Sequence, residues 1–209
     1  MFQKQNYQAL FDNQISEISK SEHNPSLLLH ACCAPCSSYV IELLEQYFDI
    51  TLFFYNPNIS PISEYEYRAN ELKRLVKEMG FENKIKIIVC DYDSSPFEQL
   101  SIGKENEPER GARCTDCYNV RLTKTAEYAE QNGFDFFSTT LSISPHKDAV
   151  RLNGIGSILS QNTKTKWLWS DFKKKNGYIR SIELSKQYNL YRQDFCGCTF
   201  SKAQAEKKN

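Results

Sequence analysis

The chain lacks the marks of a membrane or secreted protein. No run of about 18 apolar residues occurs among its 209, so no transmembrane helix is expected. The first twenty residues, MFQKQNYQALFDNQISEISK, contain no continuous apolar stretch of the secretory kind. A surplus of charge is missing too: 26 Lys and Arg balance 26 Asp and Glu. Any nucleic-acid partner must therefore be held by a local basic patch rather than by overall charge. No G-x-G-x-x-G follows the first apolar run and no G-x-x-x-x-G-K-[ST] occurs anywhere, which disfavours a nicotinamide site or an ATP site of the usual kind. Internal repeats and low-complexity tracts are absent. What remains is a cytoplasmic globular domain, 40% hydrophobic and 25% charged, long enough for one core. Thiols stay reduced in that compartment.

Cysteine, by contrast, is abundant. Seven of eight fall into three tight clusters: Cys32-Cys33-Ala-Pro-Cys36, Cys114-Thr-Asp-Cys117 and Cys196-Gly-Cys198. In a reducing compartment such spacings indicate soft-metal or redox chemistry rather than structural disulfides. Cys32, Cys33, Cys114 and Cys117 supply the four thiolates of a [4Fe–4S] cluster or of tetrahedral zinc, and spacing alone does not choose between them. Cys196 and Cys198 can ligate a metal or open and close as a strained disulfide. Cys36 fits a further ligand, a redox thiol or a helix-packing role, whereas Cys90, ending an apolar strand, reads as a buried thiol.

The pattern around these clusters alternates strand and helix. An amphipathic extension over 1–23 precedes a domain over 24–200 and a charged, frayed tail over 201–209. Short apolar runs at 26–31, 50–55, 85–90, 134–139 and 167–169 read as strands. Helical patterns follow at 37–48, at 63–79 with Ser63 as cap, around Phe97, at 114–131 and up to Leu159. This order implies an α/β fold: a single domain with a mostly parallel sheet of βαβ units, Rossmann-like or HUP-like, carrying metal-binding cysteine turns. Ligands in such sheets sit beyond the carboxyl ends of the strands, where the first cysteine turn, Asp91-Tyr92-Asp93 and the segment after Thr139 converge. Asp93 there is a candidate proton donor or a solvated turn residue, and His146 a candidate substrate or phosphate ligand or a helix start. His30, inside an apolar strand, fits a hydrogen-bonded core position better than a ligand. Lysines and arginines interleave with aromatic residues over 164–192, including Lys173, Lys174, Lys175, Arg180 and Arg192; this composition suits phosphate contact and base stacking, or a solvated basic loop.

Several segments together carry a resemblance. Leu27-Leu-Leu-His-Ala-Cys-Cys-Ala-Pro-Cys36, Phe53-Phe-Tyr-Asn-Pro-Asn-Ile59, Asp91-Tyr-Asp93, Gly111-Ala-Arg-Cys114-x-x-Cys117, Ser138-Thr-Thr-Leu-x-Ile-Ser-Pro-His-Lys147, Ser170-Asp-Phe-Lys-Lys-Lys175 and Leu190-Tyr-Arg-Gln-Asp-Phe-Cys-Gly-Cys198 resemble, in order, the QueH-type epoxyqueuosine reductases. The resemblance runs from about Leu27 to Phe200. It implies reductive deoxygenation of epoxyqueuosine to queuosine at the wobble position of tRNAs for Asp, Asn, His and Tyr, without cobalamin and with an electron donor the sequence does not identify. It further implies a [4Fe–4S] cluster on Cys32, Cys33, Cys114 and Cys117. Cys196 and Cys198 then form a redox-active pair or ligate a second, mononuclear iron, with Cys36 as a third ligand where relatives carry Asp. Asp93 or His146 would protonate the departing oxygen, and Lys147 with the basic residues of 164–192 would grip the anticodon loop. Two other readings exist: a sulfur-transfer or nucleotide-activating enzyme, which needs the phosphate loop the chain lacks, and a zinc-stabilised RNA-binding module.

Overall fold

A computed structural model describes residues 5–161 and 163–206. Residues 1–4 of the expected N-terminal extension and 207–209 of the tail lie outside it. The elements run α1 (Tyr7–Ile18), β1 (Ser26–His30), α2 (Ala34–Leu44), β2 (Asp49–Phe54), α3 (Ile62–Glu78), β3 (Lys86–Val89), α4 (Ser95–Ser101), α5 (Ala112–Gln131), β4 (Phe136–Thr139), a short 3-10 helix (Thr140–Ile143), α6 (Ala149–Ser160), β5 (Lys166–Trp167), α7 (Gly177–Gln187) and α8 (Thr199–Glu206). All strand pairings are parallel, in the order β3-β2-β1-β4-β5. The sheet is the α/β architecture the alternation predicts.

Strand alternation divides the core into two layers. Leu27 and Leu29 of β1 face one side, packed with Leu52, Phe54, α2 and α3, and with Phe11 from α1. Leu28, Phe53 and Phe137 face the other, under Leu122 and Ala126 of α5 and Leu152 and Ile155 of α6. Covering both faces leaves the strand ends as the place for a ligand. The chain winds outward through β1, β2 and β3, then resumes at β4 on the opposite side of β1. The crevice beyond the carboxyl ends of β1 and β4 is thus the topological switch point.

Local chemistry moves several boundaries. Helix α2 begins at Ala34, three residues before the expected start, because Pro35 suits a first turn where its missing N–H is not needed. Cys36 therefore sits in the helix and not in the loop before it. Helix α3 starts after Pro61, so Ser63 lies inside it and does not cap it. The segment over 164–192 contains the unforeseen helix α7, and the tail is helical through Glu206. Helix α6 crosses β5 closely at Gly156: a Cβ there would lie 2.2 Å from the Trp167 ring. Gly156→Ala is expected to cost about 1–3 kcal/mol through this overpacking, measured by urea unfolding; an unchanged midpoint would mean that Trp167 relaxes freely.

Candidate active site

The three cysteine segments meet at the switch point. His30 ends β1 and pairs with Phe53 and Thr139 on its neighbours. The next residue is pinned by the bond from Ala31 N to Phe53 O at 2.9 Å, so the following turn leaves the sheet at a defined place. Cys33 takes an extended conformation as the N-cap of α2. The Sγ atoms of Cys32, Cys33 and Cys36 lie within 4.8 Å of one another, a group able to hold a metal ion. Cys32 and Cys33 are 3.7 Å apart. Cys114 and Cys117 occupy the first turns of α5.

Cys196 and Cys198 are 3.6 Å apart at Sγ, on a turn that only a glycine at 197 accommodates. Gly197 has φ +109°, and a Cβ on it would lie 2.9 Å from Ile59. The turn is tied down by Ser60 N donating to Gly197 O at 3.0 Å, and by Asn58 Nδ2 and Arg68 Nη1 donating to Cys196 O, each at 3.3 Å. Arg68 is itself almost fully buried and bonded to Glu64 at 2.7 Å. Two sulfurs on one tetrahedral metal with bonds of about 2.3 Å stand about 3.8 Å apart, so the Cys196–Cys198 pair has single-metal spacing.

The cysteines line two adjoining spaces. One is a cleft of about 300 Å³ bordered by Cys32, Cys33, Cys36, Cys196, Tyr178 and Arg192. The other is a cavity of about 20 Å³ among Cys114, Cys117, Cys196 and Cys198. Cys196, Arg121 and Lys147 border both. Two residues lining the small cavity carry a buried polar atom with no hydrogen-bond partner among the described residues, Asn58 Oδ1 and Tyr118 Oη. Burial pushes the Tyr118 phenol up to about 12, so it stays protonated. Orphaned polar atoms inside a thiol-lined cavity are expected where a metal centre completes the site. The all-thiol donor set suits iron–sulfur or zinc ligation.

Charge is uneven within each cysteine group. Hydrogen bonds from Cys33 and Cys36 hold Cys32 well below the ordinary thiol range, while Cys33 is pushed up to about 12 by Cys32 and Cys36 is raised with it. Likewise the bond from Cys198, aided by the Lys147 ammonium, holds Cys196 well below that range and raises Cys198. Each group thus carries one favoured thiolate. Lys147 is buried to 10% exposure, and the Cys196 thiolate keeps it cationic against burial.

The remaining sequence candidates separate. His146 is exposed on the cleft rim, where Arg110 reaches the carbonyls of Pro145 and His146 at 2.8 and 3.1 Å. Asp93 is outside the cleft: it is exposed, accepts from Ser95 N at 2.9 Å and caps the approach to α4. Of the basic residues, Lys147 and Arg192 border the cleft. Lys174 lines an outer groove beside Gln5, Tyr7 and Asp148. Lys173, Lys175 and Arg180 are paired with Asp171, Asp12 and Glu42 plus Glu183 respectively; Asp12 and Glu42 come from distant parts of the chain.

Sequence reasoning missed Arg121, Asn56 and Arg68, all buried polar residues against the cysteines. The one signal was Arg121 standing four residues after Cys117, on the same helix face. His30 is the core histidine expected, bonded to Thr139 Oγ1 at 2.9 Å. Burial, reinforced by Arg121, lowers its pKa to about 3. The unfolded chain therefore binds a proton that the native state refuses between about pH 6.5 and pH 3. Stability present above that window is lost as pH falls through it, by up to about 5 kcal/mol. Denaturant unfolding of metal-free protein should show this loss, and His30→Gln should flatten it; parallel curves would reassign the acid loss to other groups.

Comparison with known proteins agrees with this geometry. The family model described as epoxyqueuosine reductase QueH matches residues 27–204. This chain belongs to that family. It is 42% identical over 201 residues to the epoxyqueuosine reductase QueH of Streptococcus pyogenes serotype M1, covering 95% of this chain and 79% of the relative. A Staphylococcus epidermidis protein of the same name is 42% identical over 205 residues, with 95% and 85% covered. That of Thermotoga maritima is 31% identical over 190 residues, with 88% and 94% covered. The family is one of oxidoreductases, so this chain is an enzyme. Among the described residues no helix is long and apolar enough to cross a membrane.

Proposed function

We propose that this enzyme converts epoxyqueuosine to queuosine at the wobble position of tRNA, by a thiolate-held iron–sulfur centre and without cobalamin. The carrying observation is that Cys196 borders both spaces, so one thiolate links the inner cysteine cavity to the cleft that a substrate can enter. A volume of about 300 Å³ suits one extruded nucleoside. The reaction breaks both C–O bonds of the epoxide: two electrons and two protons enter, the carbons form a double bond, and oxygen leaves as water.

In this reading Cys32, Cys33, Cys114 and Cys117 hold a [4Fe–4S] cluster, and Cys196 and Cys198 a second iron or a redox pair. Cys36, which is gathered with Cys32 and Cys33 and lines the same cleft as Cys196, would be a further ligand of that second iron. An iron centre held by these cysteines would supply electrons one at a time and Lewis acidity toward the epoxide oxygen. The electrons come from an external donor. The protein's own residues bind and orient: Tyr178 offers a ring to stack on the base, Lys147 and Arg192 offer charge to phosphate, and His146 stands at the rim within reach of an entering hydroxyl. The substrate tRNAs would be those for Asp, Asn, His and Tyr.

The test is metal analysis of anaerobically purified protein followed by turnover. About four sulfides per chain, at least as many irons and a broad absorption near 400 nm should accompany reduction of epoxyqueuosine in tRNA by a chemical reductant. Zinc without sulfide, which the 3.6 Å sulfur spacing also suits, would overturn the proposal in favour of a structural tetrathiolate. The RNA grip has its own check. Arg192→Ala should weaken tRNA binding and reduce its log-log salt slope by about 0.7, one phosphate contact to a single strand. Replacing Lys173, Lys174 and Lys175 together should alter binding less than their charge count suggests, because two of them are already ion-paired. An unchanged slope in Arg192→Ala would remove that residue from the interface.

A further inference from the structure

Arg121 is a buried charge that the reaction just described does not use. It is 3% exposed, one helical turn beyond Cys117, and borders both spaces. A buried guanidinium is ordinarily neutralised by a carboxylate, yet among the described residues no carboxylate pairs with it. Nη2 donates to Asn56 Oδ1 at 2.6 Å, Nε lies 3.3 Å from His30 Nε2, and Nη1 lies 4.0 Å from Cys117 Sγ. Both neutral partners are fully buried and anchored, Asn56 through Ala31 O at 3.0 Å and His30 through Thr139 Oγ1 at 2.9 Å. The guanidinium fork is therefore held in one orientation by uncharged groups. The groups that answer its charge are cysteine sulfurs, those of Cys117, Cys32 and Cys196.

We propose that Arg121 is a positioning residue that raises the reduction potential of the iron centre held by these cysteines, by fixing a positive charge and an N–H against its ligand sulfurs. This rests on the iron–sulfur reading above. When such a centre takes one electron from an external chemical reductant, it gains one negative charge and no bond to the protein is made or broken. A fixed cation in a water-poor site stabilises the reduced form more than the oxidised one, and hydrogen bonds to sulfur act in the same direction. Neutral Asn56 and His30 hold the guanidinium without cancelling its charge, as a carboxylate in their place would.

The experiment compares wild type, Arg121→Gln, Arg121→Lys and Asn56→Asp, each reconstituted anaerobically. Iron and sulfide content, thermal unfolding and reductive titration followed in the visible are measured for each. At a fixed ambient potential the ratio of reduced to oxidised centre should fall at least about tenfold in Arg121→Gln, about 59 mV for a one-electron couple. Asn56→Asp, which sets a carboxylate against the same guanidinium, should shift the ratio the same way, and Arg121→Lys should shift it less than Arg121→Gln. A purely structural role would lower the unfolding temperature and leave the potential of the loaded centre unmoved, and that result overturns the proposal. Should Arg121→Gln fail to fold, Asn56→Asp decides: an unshifted potential with full iron and sulfide overturns it equally. Wild type without iron and sulfide would overturn the cofactor reading beneath it, which the metal analysis distinguishes before any titration.

Discussion

Cys196→Ser is expected to lower epoxyqueuosine turnover by about a thousandfold or more, the scale lost when a group acting directly at the reacting bond is removed. Serine keeps the shape of the turn and its bonds through the Cys196 carbonyl to Asn58 and Arg68. It loses the soft, low-lying thiolate that Cys198, Lys147 and Ser201 sustain. Because Cys196 is not one of the four proposed cluster ligands, acid-labile sulfide should stay near the wild-type value while turnover collapses. Single-turnover assays with chemically reduced protein make the comparison independent of the electron donor. Wild-type turnover in Cys196→Ser would exclude the thiolate from the reaction. Parallel loss of sulfide and turnover would instead make it a ligand of the cluster itself.

Phe53→Ala should cost about 3–5 kcal/mol, the range for deleting a fully buried aromatic side chain. Phe53 is inaccessible to solvent near the carboxyl end of β2. Its ring lies 4.9 Å from Tyr128 and 6.3 Å from Tyr55, and its layer includes Leu28 and Phe137. A domain of this kind has about 5–15 kcal/mol in all, so the variant should unfold at much lower denaturant. Its carbonyl also receives the Ala31 amide that aims the first cysteine turn, so retained metal should fall along with stability. A shift below about 1 kcal/mol would mean that the layer collapses into the space without penalty.

By itself the sequence determined the layer order and the location of the chemistry. Apolar runs such as Leu27-Leu28-Leu29 can be buried on both faces only in a parallel sheet under helices, and that topology sends the cysteine turn to the strand ends. Local spacing likewise sorted the cysteines into short segments, because C-C-x-x-C at a helix start and C-x-C around a glycine bring sulfurs close through covalent reach alone. Tertiary structure decided what depends on partners far along the chain. Arg121 is a buried cation because Asn56, 65 residues earlier, receives its N–H; hydrophobic periodicity holds no record of such a pair. Lys173, Lys175 and Arg180 look like one basic patch in sequence, but Asp12 and Glu42 arrive from other elements and partly neutralise it. Asp93 shares a sheet edge with the site yet turns to Ser95 instead, since a strand end fixes where a residue begins and not where its side chain finds its nearest donor.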